Sequence, residues 1–157
     1  MNEERVEPEE IRERWGAPIA SEQCEAICDG VVYHYAIPIY ERDGVRRTML
    51  DDAERSELRV AQAMVRNRHQ GGEGLRFMRK ACGVTIARMA EALEVTEKTV
   101  RRWETNESEA GAATRAAYYR MIAEACGGKP PLQWLEEQSG EPLKKEVRLD
   151  PDPADAA

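Results

Sequence analysis

Long apolar runs are missing from this 157-residue sequence, and aromatics are few: three Trp, five Tyr and one Phe. No stretch approaches the roughly 18–20 apolar residues that a membrane helix needs, so no membrane association is expected. The opening Met1–Trp15 is acidic and has no apolar region, which reads as the absence of a secretory leader. A cytoplasmic chain is therefore expected, with its four cysteines as thiols, because disulfide frameworks belong to extracellular chains. Cys82 and Cys126 occupy apolar positions near helix ends and read as small core residues. Catalytic signatures are missing as well. There is no dinucleotide glycine loop, no phosphate loop and no His-Glu-x-x-His pattern, and neither histidine stands beside a nucleophile or a carboxylate pair. Ser21, Ser108 and Ser139 read as caps or loop residues, and Ser56 as a surface position. No enzyme is expected.

An excess of basic charge is also lacking. The chain carries 23 Lys and Arg against 30 Asp and Glu, a net charge of −7. That excludes the basic whole-protein field that attracts nucleic acid nonspecifically. The imbalance is uneven. Residues 1–71 hold 10 basic and 15 acidic groups, 72–127 hold 9 and 8, and 128–157 hold 4 and 7. The least acidic part is the middle, so any DNA contact must come from a local patch there.

The periodicity predicts a mainly α protein. Residues 1–20 read as a flexible acidic arm, and 21–50 as a small β element. In that element Val31–Tyr40 and Val45–Leu50 flank the hairpin signal Asp43-Gly44. Pro38 marks its strand as an edge or a break. From Asp51 the period turns helical, with Asp51 or Asp52 able to cap and with Leu58, Ala61, Met64 and Val65 on one face. This connecting helix occupies 51–70, until Gly71-Gly72 breaks it. Within 72–127 short helices are predicted at 73–81, 86–93 and 97–105, then a longer one at 112–125. The tail 128–157 reads as largely flexible, with one apolar cluster at Leu132, Trp134 and Leu135.

The stretch Leu75–Asn106 carries the function. Two helices of about eight residues flank a turn at Leu93-Glu94-Val95, with Thr85 and Thr96 placed to cap them. The second helix turns Val100 and Trp103 inward and Glu97, Lys98, Arg101 and Arg102 outward. A short helix with such an outer face suits a major groove. The alternative is a helical packing unit whose charged faces are merely solvated.

The typed positions Arg76, Met78, Arg79, Gly83, Thr85, Met89, Ala90, Leu93, Val95, Thr96, Thr99, Val100, Arg102, Trp103 and Glu104 resemble the helix-turn-helix of Xre/Cro-type repressors. The resemblance implies an Xre/Cro-like helical bundle and DNA contacts from Thr96, Glu97, Lys98 and Arg102. It also implies a structural ion pair between Arg79 and Glu104. Beside it, the residues themselves nominate Arg101 with Arg102 for readout, the start of the first helix at Thr85 as a DNA-binding phosphate site, and Arg76, Lys80 and Arg88 for weaker phosphate contacts. Two positions depart from the family: Ile86 stands where a backbone-contacting Gln is usual, and Glu94 where the turn Gly is usual.

A β element with cysteines ahead of such a domain is similar to the MqsA/YgiT-type antitoxin-regulators, whose small N-terminal domain holds zinc through paired Cys-x-x-Cys knuckles. Here Cys24 and Cys28 have three residues between them, and the second pair is missing. With His34 they offer at most three of the four ligands of a structural zinc site. No cofactor is expected, and the element reads as a degenerate finger. The function implied is a sequence-specific DNA-binding regulator, a repressor acting as a homodimer on a palindromic operator. An antitoxin whose acidic ends mask a toxin, or a protein-binding adaptor, are the alternatives.

Overall fold

The computed structural model describes residues 13–126 and 143–150. β1 (Ala20–Cys28), β2 (Val31–Arg42) and β3 (Val45–Arg47) lead into five helices. These are α1 (Leu50–Arg66), α2 (Gly72–Ala81), α3 (Ile86–Ala92), α4 (Glu97–Glu104) and α5 (Ala112–Ala125), followed by β4 (Glu146–Arg148). β2 is the spine of the sheet. β1 pairs antiparallel along it from Ala20↔Ile39 to Cys28↔Val31, β3 from Tyr40↔Arg47 to Arg42↔Val45, and β4 runs parallel beside Val32–His34. None of the described helices is long and apolar enough to cross a membrane.

The expected mainly α architecture does not hold. The chain is α+β, because the sheet is long and shares its core with the helices. One buried cluster joins Ala26, Cys28, Val31 and Tyr33 of the sheet to Val60, Ala61, Met64 and Val65 of α1. It continues through Leu75 and Met78 of α2, Met89 of α3, and Tyr118, Tyr119, Ile122 and Ala123 of α5. The helices therefore do not close a bundle of their own. β1 was hidden by its polarity: Ser21, Glu22, Gln23 and Glu25 face solvent, while Cys24, Ala26 and Cys28 turn inward at every second position. Its turn with β2 is a second Asp-Gly hairpin, Asp29-Gly30. Both residues take positive φ (52° and 78°), as do Asp43 and Gly44 (52° and 77°) in the first.

Other expectations shift too. Pro38 does not break its strand, since β2 runs through it, but among the described residues β2 has an open edge there, as expected of a residue that cannot donate to a ladder. Pro38 lies outside the stretches paired by β3 and β4, so only β1 neighbours it. The tail is not wholly irregular, because 143–150 supplies β4. Most of the predicted acidic arm (1–12), the apolar cluster at Leu132–Leu135 and the last seven residues lie outside the described residues. Ser56 is buried rather than at the surface. Asp51 and Asp52 fall in the first turn of α1, where they favour the helix dipole without capping it.

One residue joins the two halves. Asp29, at the β1–β2 turn, reaches the start of α2, which has no cap of its own from Gly71. Its carboxylate accepts from the N–H of Gly74 at 2.9 Å and Glu73 at 3.4 Å, while the Asp29 N–H donates to Glu73 Oε2 at 2.7 Å. This is a capping box built across elements. Asn106, just beyond α4, completes it: its Oδ1 accepts from Gly72 N–H at 2.8 Å and its Nδ2 donates to Asp29 at 3.0 Å. Behind Asp29, His69 Nε2 lies 2.7 Å from Oδ2, and its Nδ1 lies 2.8 Å from the Tyr33 hydroxyl. The carboxylate can only accept, so Nε2 carries a proton, and in the neutral ring Nδ1 accepts from Tyr33. Asn67 Nδ2 donates to the same hydroxyl.

Burial acts to raise the Asp29 carboxyl, but hydrogen bonds from His69, Gly74 and Asn106 outweigh it and hold the group below its usual 3.8. A carboxylate held low in the folded state adds stability above its unfolded pKa and loses it as pH falls through the folded one. Asp29→Asn is therefore expected to flatten the decline of stability below about pH 4, as read from urea midpoints across pH. An unchanged slope would remove Asp29 as the anchor. Asp29→Ala is expected to cost about 2–4 kcal/mol, since it also strands buried donors.

Candidate nucleic-acid interface

α3 and α4 form the helix-turn-helix. Thr85 and Thr96 cap them, accepting from the backbone N–H of Arg88 and Thr99, each at 3.2 Å. Between the helices the chain turns at Glu94, with φ at 55°. Glu94 N–H donates to Glu91 O and Val95 N–H to Ala90 O, at 3.2 and 3.0 Å. The turn thus keeps the left-handed conformation that glycine adopts freely, and a side chain there carries strain.

α4 has two distinct sides. Val100 is completely buried and Trp103 half-buried against the core. Thr96, Glu97, Lys98, Arg101 and Arg102 are exposed. Glu97 Oε1 lies 3.7 Å from Arg101 Nη2, a loose pair one turn apart. Thr85 and Arg88 are exposed around the start of α3, and Arg76 and Lys80 on α2. Ile86 is half-buried at the first position of α3 and has no polar group to offer a phosphate.

The inner end of α4 is fixed from α2. Arg79 Nε meets both Glu104 oxygens at 2.9 and 3.0 Å, Nη2 meets Oε1 at 2.9 Å, and Nη1 donates to Val84 O at 2.8 Å. Both residues are buried, so the guanidinium is satisfied by a carboxylate and a carbonyl together. Tyr118 packs beside them, and burial and then the Glu104 charge push its hydroxyl well up. A second fixing point is steric: a Cβ on Gly72 would stand 2.0 Å from the backbone oxygen of Trp103. A Cβ on Gly74 would stand 2.2 Å from the His69 ring. The glycines let α2 approach α4 and the histidine this closely.

The residues nominated for zinc are not brought together. Cys24 and Cys28 lie four residues apart on one strand, about 13 Å, whereas two thiolates on one zinc lie within roughly 4 Å. Burial pushes the Cys28 thiol up to about 11, away from the thiolate a metal needs. His34 instead lies between Glu25, at 3.3 Å, and Glu146, at 2.7 Å. Cys82 and Cys126 are half-buried against the core, and burial raises both thiols, Cys82 to about 11.

Asp29, His69 and Asn106 were not singled out from the sequence. Tyr33, His69 and Asp29 have the order of a proton relay, but Tyr33 is fully buried and His69 is 1 % exposed. Asp29 is half-buried and, with His69 and Asn106, borders a cavity, and the three side chains together link the hairpin to the start of α2. The signal for them was the run Gly71-Gly72-Glu73-Gly74 opening a helix without a local Ser, Thr, Asp or Asn cap.

Glu94→Gly is expected to raise stability by up to about 1 kcal/mol in urea denaturation, and a loss would show that the turn is unstrained. Arg79→Met is expected to cost about 3–5 kcal/mol by leaving Glu104 buried and unpaired. Adding Glu104→Leu should recover much of that loss, and a double variant no better than the single one would contradict a buried pair.

Compared with protein-family models, curated proteins and solved structures, the chain matches none.

Proposed function

We propose that the chain is a sequence-specific DNA-binding regulator, a repressor in its simplest form, which inserts α4 into a major groove. The observation that carries this reading is the division of α4. Its inner side is immobilised by Val100, by the Arg79–Glu104 pair and by the close approach of Gly72, while its outer side presents Glu97, Lys98, Arg101 and Arg102. A helix held this firmly keeps long donors at fixed positions, as reading base edges requires.

Roles follow from chemistry. Arg101 and Arg102 offer forked donors to guanine, and Glu97 can accept from a cytosine amine while orienting Arg101. Lys98 and the capped start of α4 suit phosphates, as do Arg76, Lys80 and Arg88 on neighbouring helices. The net charge of −7 favours selectivity over nonspecific binding, because the rest of the surface repels the duplex. One such head reads few bases, so a palindromic operator and two copies belong to the same reading.

Selection from a random duplex library, followed by affinity measurements across a salt series, tests it. An enriched palindromic site is expected. The Arg101→Ala/Arg102→Ala variant should bind that site at least about tenfold more weakly, at roughly 1–3 kcal/mol per lost base contact. Lys80→Ala should weaken all duplexes alike and lower the salt slope by about one. No enrichment, or a double variant with unchanged affinity and slope, would instead make the helix-turn-helix a scaffold for protein contacts.

A further inference from the structure

β1 is an edge. Among the described residues it pairs only with β2, so a full row of its backbone groups faces outward. Natural edges are blunted by Pro, Lys, bulges or covering segments. Ala20–Cys28 contains neither Pro nor Lys, and its two charges, Glu22 and Glu25, leave some pairings open while opposing others. On its solvent side lie the two most exposed large apolar side chains of the sheet, Ile27 at 63 % and Ile19, just before the strand, at 50 %.

We propose that this edge pairs with the same edge of a second copy, antiparallel about a two-fold axis through Gln23. The register follows from three constraints. First, an axis perpendicular to the sheet keeps inward residues inward, so each residue must face one of its own parity and the axis must pass through a residue. Second, an axis through Glu22 or Glu25 sets that carboxylate against its own copy, which is destabilising. Axes beyond these shorten the overlap. Gln23 and Cys24 remain.

The third constraint separates them. An axis through Cys24 sets Ile27 against Ser21. An axis through Gln23 sets Ile27 of one copy directly against Ile19 of the other, twice, and covers both exposed side chains. It also sets Ser21 against Glu25, a hydroxyl donor against a carboxylate, and Gln23 against itself, where two amides can exchange hydrogen bonds. On the inner side Ala20 meets Ala26 and Glu22 meets Cys24, with no like charges opposed. The two sheets then form one continuous sheet with a helix-turn-helix on each copy. The inference does not rest on DNA binding, and its test contains no DNA.

Sedimentation of the full chain should show a reversible dimer at tens of micromolar. Ile27→Lys alters a side chain that is already exposed, so the fold should survive while dimer affinity falls by about tenfold or more. Gln23→Cys tests the register directly, because directly opposed strand residues stand within disulfide reach. On treatment with diamide, the two Cys thiols should lose two electrons and two protons to the reagent and join the copies. Ser21→Cys should not, since its two copies lie about 13 Å apart along the strand. A monomer at about 100 micromolar, a dimer indifferent to Ile27→Lys, or Ser21→Cys cross-linking as readily as Gln23→Cys would each overturn the proposal.

Discussion

The Asp29 carboxylate is the constraint on which the rest of the molecule depends. A two-residue turn places it at the tip of the β1–β2 hairpin, and with Asn106 it caps the first turn of α2, which has no side-chain cap at Gly71. Its acceptor pairs bind Gly74, Glu73, Asn106 and His69 at once. Three elements that are distant in sequence therefore meet on one charged group. The glycines at 72 and 74 are the steric counterpart, since a methyl group at either position would drive the elements apart. The hairpin is thus a bracket for the helices and not an appendage to them.

This bracket bears on the exposed face of α4. Asn106 lies just beyond α4 and shares Asp29 with α2, while Arg79 grips Glu104 two residues earlier. The C-terminal end of α4 is consequently held from two sides by charge-assisted hydrogen bonds. Its N-terminal end is left to the Thr96 cap and to solvent. The angle of α4 is thus set at its C-terminal end, whereas its first turn keeps an exposed outer face.

The helical half was legible because its signals are local. Thr85 and Thr96 cap their helices, Val100 takes the buried position that periodicity gives it, and Asp43-Gly44 makes the first hairpin. The sheet was not legible, because its signals are distributed. β1 has Ile27 as its one large apolar side chain and is a strand by virtue of its partner; β4 is set beside β2 by chain more than a hundred residues away. Asp29 and His69 carry their meaning only in three dimensions. Cys24 and Cys28 illustrate the converse, since proximity in sequence along an extended strand is separation in space.

Native-state amide hydrogen exchange tests most directly whether sheet and helices stand as one unit around Asp29. The slowest amides of the β1–β2 ladder and of α2 and α4 should open with one common free energy. In Asp29→Ala both groups should fall together. A sheet that exchanges early while α2 and α4 stay protected, with the helices unaffected by Asp29→Ala, would mean that the helix-turn-helix stands alone and that the bracket is incidental.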